Sequence, residues 1–355
     1  MVTFRNDLES FGSYKIEKTA KHNLGDNENR LIDWSGLLEE IAKEIPLSDL
    51  QYYGDNKYSQ IIQAYAEYVG LQPNQIVQGV GSDQMIHTII TTFLQAGEVL
   101  LTVEPDFFMY SVFSQVHGTK LETYQLEWID GVPTLSAEKL MEHAEKVGAK
   151  LIILSNPNNP ASIAFESGEL EKIVANFNGI VVIDEAYIDF AQVKSMLDKI
   201  NSYDNLIVLR TMSKAFGLAG LRLGFALSCQ RLAYELDKVL APYSMPNIVG
   251  KIGVQALKHS DKVKESVARI KEIRQDFMAF LEQQPNLHLL PSQANFITFT
   301  APYAEKILEV GLTQDFNFKY YADGPMKGYI RMGIGHSDEM NLMKEIIRKV
   351  VKNKL

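Results

Sequence analysis

A single cysteine, Cys229, stands in a chain of 355 residues. No internal disulfide can form, and no cysteine cluster can hold zinc. No uninterrupted apolar run approaches the roughly 18–20 residues that cross a bilayer, so no membrane span is expected. Basic residues are the minority: 35 lysines and arginines against 44 aspartates and glutamates, a formal charge of −9. That balance argues against a nucleic-acid-binding face. The seven histidines show no metal-ligand spacing. No G-x-x-x-x-G-K-[ST] loop is present, which counts against an ATPase reading of any strand that ends in carboxylates. Internal repeats and low-complexity linkers are missing as well. The opening MVTFRNDLESFG lacks the basic–apolar–small order of a signal peptide, so a cytoplasmic protein is expected.

What is present is ordinary globular composition, 46% hydrophobic and 22% charged, enough for one large unit or two domains. From about Ile76, short β-branched runs alternate with helical patterns, which argues for an α/β protein with a mostly parallel central sheet flanked by helices. Strands are expected at Gln75–Gln78, Val99–Val103, Lys150–Leu154, Ile180–Ile183, Leu206–Leu209 and Leu223–Leu227. Helices are expected at Ser82–Leu94, Glu166–Phe177 and Ser136–Lys146, the last with Ser136 as N-cap. Lys251 to Gln284 reads as one long helix ended by Pro285. Two more strands, Asn295–Thr300 and Gly328–Ile334, precede a basic amphipathic helix from Asp338 whose charged side reads as a solvated face. This gives a large domain, 48–250, and a smaller α+β domain made of 1–47 and 251–355.

Ligands of parallel α/β sheets bind beyond the carboxyl ends of the strands, and polar residues gather there strand after strand. In NLIVLRTMSKAFGLAGLRLGFAL (205–227), Lys214 follows a buried strand. A partly desolvated lysine amine attacks aldehydes, and Thr211, Ser213 and Arg222 would hold a phosphate beside it. A lysine next to a phosphate clamp points to pyridoxal phosphate. In IVQGVGSDQMIHTII (76–90), the N–H groups of Ser82 and Asp83 open a helix and favour an anion. In VVIDEAYIDF (181–190), Asp184 could keep a pyridine nitrogen protonated, and Tyr187 could donate to the ring's phenolic oxygen. Asn159 in SNPNNP could reach that same oxygen, or sit in a plain Asn-Pro turn. Phe107 offers a ring to stack, or a core aromatic. Arg331 puts a planar fork in a strand-like run, suited to a carboxylate or phosphate, or to a surface ion pair.

Taken together, TMSKAFGLAGLRLGF, DEAYIDF and SNPNNP resemble the fold-type-I pyridoxal-phosphate enzymes, and within them the histidinol-phosphate aminotransferase family, over nearly the whole chain. The resemblance implies Lys214 as the Schiff-base lysine and proton shuttle. It places Asp184 at the ring nitrogen, Asn159 and Tyr187 at the phenolic oxygen, and Phe107 on the ring face. Thr211, Ser213, Arg222 and the Ser82-Asp83 turn then bind the phosphate. It also implies a homodimer in which Tyr53 (or Tyr52) of QYYGD reaches the partner's phosphate. Arg331 and Asn29 fall on the substrate side.

Four departures from the family pattern stand out. Ala161-Ser162 follow Asn-Asn-Pro in place of Thr-Gly. Phe107 replaces a frequent tyrosine. Arg30 follows Asn27-Glu28-Asn29 in place of proline. Lys319–Lys327 lacks the arginine often seen before the last strand. Most of them lie where substrate choice is made. Transamination between an amino acid or amino-phosphate (histidinol phosphate or aromatic type) and a 2-oxo acid such as 2-oxoglutarate is the leading expectation. Decarboxylation of a phosphorylated amino acid, of the threonine-phosphate type, is the alternative, since the bond aligned perpendicular to the ring is the one that breaks. A non-catalytic cofactor-binding regulator is a third, but no basic helix-turn-helix precedes the sheet.

Overall fold

Alternating side chains decide how the central sheet is covered. In the computed structural model, which describes residues 20–54 and 59–352, Leu151 and Ile153 enter one buried cluster and Ile152 and Leu154 the other. Val182 likewise faces away from Val181 and Ile183. Both faces are therefore apolar, as a sheet covered by helices on two sides requires. The seven strands are β1 (Ile76–Val80), β2 (Val99–Glu104), β3 (Lys120–Gln125), β4 (Ala149–Ser155), β5 (Ile180–Asp184), β6 (Leu206–Thr211) and β7 (Leu223–Ser228). Their order is β1-β7-β6-β5-β4-β2-β3. Only β7 runs antiparallel to its neighbours. Helices Gly81–Phe93 and Gln230–Asp237 lie on one face; Ser59–Val69, Ala137–Val147 and Ser167–Asn176 lie on the other.

Register aligns the strand ends that matter. Ser155 pairs with Asp184, Asp184 with Leu209, and Gly224 with Thr211. A second sheet holds β8 (His288–Leu289), β9 (Phe296–Thr300), β10 (Lys319–Tyr320) and β11 (Tyr329–Gly333), in the antiparallel order β8-β9-β11-β10. The larger buried cluster runs through both sheets, joining Ile152 and Val208 to Phe296 and Ile330.

All the expected strands are present, with ends displaced by two residues or fewer. Ser136 caps its helix, its hydroxyl accepting from Lys139 N at 3.4 Å. Two expectations are corrected. The stretch 251–284 is two helices, Asn247–Lys258 and Ser260–Glu282, broken at His259, whose φ of −103° and ψ of 34° leave the helical region. The second ends three residues before Pro285. The final helix, Ser337–Lys352, buries Met340, Met343, Ile346, Ile347 and Val350. Its basic face is not wholly solvated, because Lys344 is buried and donates to Asp276. The opening MVTFRNDLESFG and residues 353–355 lie outside the described residues. No helix among those described is long and apolar enough to cross a membrane.

Candidate active site

The carboxyl ends of β1, β2, β4, β5 and β6 open on one cleft of about 880 Å³. Ser82, Asp83, Phe107, Asn159, Asp184, Tyr187, Thr211, Ser213, Lys214, Arg222 and Arg331 all line it. Residues from eleven positions scattered over the chain thus meet because one sheet edge collects them.

Lys214 sits in the connection from β6 to β7. Its Nζ donates to Asp26 O at 2.8 Å and lies 5.7 Å from the centre of the Tyr187 ring. Thr211 and Ser213 are joined at 3.0 Å between hydroxyls, and Ser213 N donates to Thr211 Oγ1 at 3.1 Å. Arg222 closes the connection at φ 53°, and its Nη2 meets Asp83 Oδ2 at 2.9 Å. Two glycines make this corner possible. A Cβ on Gly224 would stand 2.4 Å from Gly81 C and Ser82 N, and one on Gly81 would stand 2.6 Å from Arg222 Nη2. The helix start, with its outward N–H groups, is therefore pressed against the arginine.

Asp184 ends β5 and is buried. It accepts from Tyr110 Oη at 3.1 Å and from Ala186 N at 3.1 Å. Burial pushes its carboxyl up to about 6; the Asp83 and Glu185 charges add to this, while the Ala186 N–H and the Tyr110 hydroxyl oppose it. Tyr187 Oη accepts from Asn27 Nδ2 at 3.3 Å. Asn159 takes Arg331 Nη1 on its carbonyl oxygen at 2.6 Å, and its own N–H donates to Ser155 Oγ at 3.0 Å. Arg331 also donates to Gly25 O, while its buried Nε has no partner among the described residues.

One expected residue falls elsewhere. Asn29 does not line the cleft: its amide is buried, giving hydrogen bonds to Ala215 O at 2.8 Å and Ser266 Oγ at 2.9 Å, and its oxygen accepts from Leu31 N. Asn27 and Glu28 of the same stretch face the cleft in its place. Tyr53 is 81% exposed, stacked on Tyr243 with centroids 4.6 Å apart, and Tyr52 is exposed beside it. Neither lines the cleft of its own chain.

The sequence reading missed Tyr110, Ser155 and Asp106. Asp106 accepts from Ser155 N at 3.1 Å, from Ser155 Oγ and from Phe107 N at 2.7 Å, so it steadies the loop bearing Phe107. A carboxylate just past a strand, at Pro105-Asp106, was the available signal.

Residues 19–347 match the family described as aminotransferase class I and II. The chain belongs to that family. The aminotransferase is 34% identical over 344 residues to the histidinol-phosphate aminotransferase of Clostridium novyi (strain NT), covering 96% of this chain and 94% of the relative. The solved histidinol-phosphate aminotransferase from Sinorhizobium meliloti, in complex with pyridoxal-5'-phosphate, superposes with a TM-score of 0.88 at 23% identity, over 100% of this chain and 99% of that one. L-threonine-O-3-phosphate decarboxylase from Porphyromonas gingivalis superposes with a TM-score of 0.79 at 16% identity, over 93% and 99%. The aminotransferase thus has the fold-type-I architecture.

Proposed function

We propose that this chain is a pyridoxal-phosphate-dependent aminotransferase moving an amino group between an amino acid or amino-phosphate, of the histidinol-phosphate or aromatic type, and a 2-oxo acid such as 2-oxoglutarate. The observation that carries the reading is the meeting of Lys214, Asp184 and the Thr211–Ser213–Arg222 corner in one cleft.

The residues present fit the cofactor. The glycine-cleared corner at Gly81 and Gly224 brings backbone N–H groups and a guanidinium together, which suits a phosphate. Asp184 is a buried carboxylate with two neutral donors, and a protonated ring nitrogen would supply the positive charge it lacks. When bound, pyridoxal phosphate supplies an electrophilic carbon and a conjugated ring that accepts the electrons of a deprotonated amine carbon.

The chain's own residues do the rest. Thr211, Ser213, Arg222 and the N–H groups of Ser82 and Asp83 hold the phosphate. Asp184 holds a proton at the ring nitrogen, Asn159 and Tyr187 orient the phenolic oxygen, and Phe107 covers one ring face. The Lys214 amine takes the proton from the substrate carbon that bears the amino group and returns it one position along. Arg331 binds the substrate's anionic end through its fork. The exposed Tyr53 suits a role in the cleft of a second copy, so we read the active form as a homodimer, and its setting as cytoplasmic. We read 48–250 as the cofactor-binding domain and the segments 1–47 and 251–355 as the smaller one.

The test is an absorbance spectrum of the purified protein followed by titration with L-glutamate. A visible band that converts to the pyridoxamine form supports the reading, and the absence of a band after adding pyridoxal phosphate overturns it. Carbon dioxide release without consumption of a keto acid would move the assignment to the decarboxylase. Lys214→Ala should lower turnover by at least the roughly 10²–10⁴-fold of a general acid–base group.

A further inference from the structure

Two helices that begin at the cleft meet again farther along. Gly81–Phe93 starts at the phosphate corner, and Met109–His117 starts just after Phe107. They bring His87 Nδ1 to 3.1 Å from His117 Nε2. The ring centroids are 4.4 Å apart and the planes are tilted by 52°. An end-on hydrogen bond between imidazoles would add a ring radius at each end to the nitrogen separation. The observed centroid distance adds little more than one radius, so the rings do not meet end to end, and the two nitrogens stand at the separation of neighbouring ligands. Neighbouring ligands on one ion, at metal–nitrogen bonds of about 2.0–2.1 Å, stand about 3 Å apart.

We propose that His87 and His117 form a two-imidazole site for a borderline divalent transition ion such as Zn²⁺, Ni²⁺ or Cu²⁺. Imidazole suits these ions, whereas Mg²⁺ and Ca²⁺ require oxygen ligands. His87 is exposed, so a hydrated ion reaches it from solvent. Thr91, one turn on from His87, donates its hydroxyl to His87 O at 2.8 Å and lies beside the His117 ring, 3.1 Å from Nε2 and 3.4 Å from Nδ1, so an ion that binds Nε2 displaces that contact. Among the described residues no third histidine, cysteine or carboxylate joins the pair. A bound ion clips together the helix of the phosphate corner and the helix that follows Phe107. The inference does not depend on the cofactor reading, because neither histidine lines the cleft.

The test uses untagged holoenzyme titrated with Zn²⁺ alone, followed by calorimetry, with His87→Ala, His117→Ala and, as a control elsewhere, His259→Ala. The expected result is one saturable ion per chain in the wild type and the control, weakened tenfold or more in either of the other variants. Zn²⁺ should also raise the Tm of the wild type and not of those variants. One equivalent of Cu²⁺ should show two equivalent imidazole nitrogens by electron paramagnetic resonance. Unchanged Zn²⁺ affinity in His87→Ala, no saturable binding, or a one-nitrogen copper spectrum would overturn the proposal. His87 is exposed, so His87→Ala should keep the fold (checked by circular dichroism) and decides the matter even if His117→Ala does not.

Discussion

Two carboxylates stand side by side at the end of β5, and they face opposite regions of the molecule. Glu185 turns away from the cleft. It pairs with Arg210 at 3.0 Å and accepts from Ser195 Oγ at 2.6 Å and Met196 N at 2.7 Å. Asp184 turns toward the cleft with Tyr110 and Ala186 N as its donors, and among the described residues no lysine or arginine forms an ion pair with it. Both are buried. The first is completed by the chain, whereas the second waits for a charge from outside it. A buried acid without a cation costs stability, and that cost marks a binding site better than burial or acidity does alone.

The strongest way to break the comparison is to remove a partner on the completed side. Glu185→Ala leaves Arg210 buried without its main counter-charge and should cost about 3–5 kcal/mol, read as a lower midpoint in urea. Cofactor affinity of the protein that remains folded should change little. A loss of affinity with unchanged stability would reverse the roles assigned to the two acids.

Asp184→Asn should act in the opposite direction. The folded protein keeps the Asp184 proton up to about pH 6, while the unfolded chain has lost it by about pH 4. The folded state binds more protons across that window, so this group's contribution to stability falls as pH rises through it. In cofactor-free protein, Asp184→Asn should therefore be nearly neutral at pH 4 and stabilising at pH 7, by up to about 3 kcal/mol. The same variant should bind pyridoxal phosphate more weakly. Urea melts at the two pH values, and a cofactor titration, check both halves.

Ser162 sharpens the contrast from a third side. Its hydroxyl is buried with no partner among the described residues, and its φ is 62°, in the left-handed region. It does not line the cleft, so no ligand stands to complete it. Ser162→Gly relieves a backbone cost of about 1–2 kcal/mol, less the entropy that glycine loses. A gain of about 1 kcal/mol with unchanged turnover is expected; a loss of turnover would give the hydroxyl a role.

Much of this architecture was legible because two signals coincided. The central strands are continuous Val-Ile-Leu runs, buried on both faces, and each ends in a polar residue where the sheet edge becomes a cleft. Lys214 stood out by its neighbours, since hydroxyls and an arginine around a lysine specify few ligands. Other elements carried weaker marks. β3, KLETYQ, is a half-exposed edge strand with too much polar character to show a sheet pattern. The break at His259 uses neither glycine nor proline, so the apolar spacing from Val263 to Leu281 read straight through it. Asn29 and Asn27 are two residues apart in a loop without period, and only folding decides which one turns inward. Tyr110 is apolar by bulk, and its role rests on one hydroxyl meeting a strand that lies far along the chain.

The reversed direction of β7 has a kinetic consequence. Parallel neighbours need long crossovers, but an antiparallel pair closes over a short loop. β6 and β7 are joined by residues 212–222 alone, whereas β1 pairs with β7 across more than half the length of the sheet-forming chain. Closing the shorter loop costs less entropy, and local pairings form sooner. The segment that carries Lys214 and Arg222 should thus gain amide protection early during refolding, before β1 docks. Pulse-labelled hydrogen exchange would show it, with Arg210 and Phe225, whose amides face each other across β6 and β7, protected ahead of Val77. The lysine and its arginine would then be in place before the helix start that completes their corner arrives.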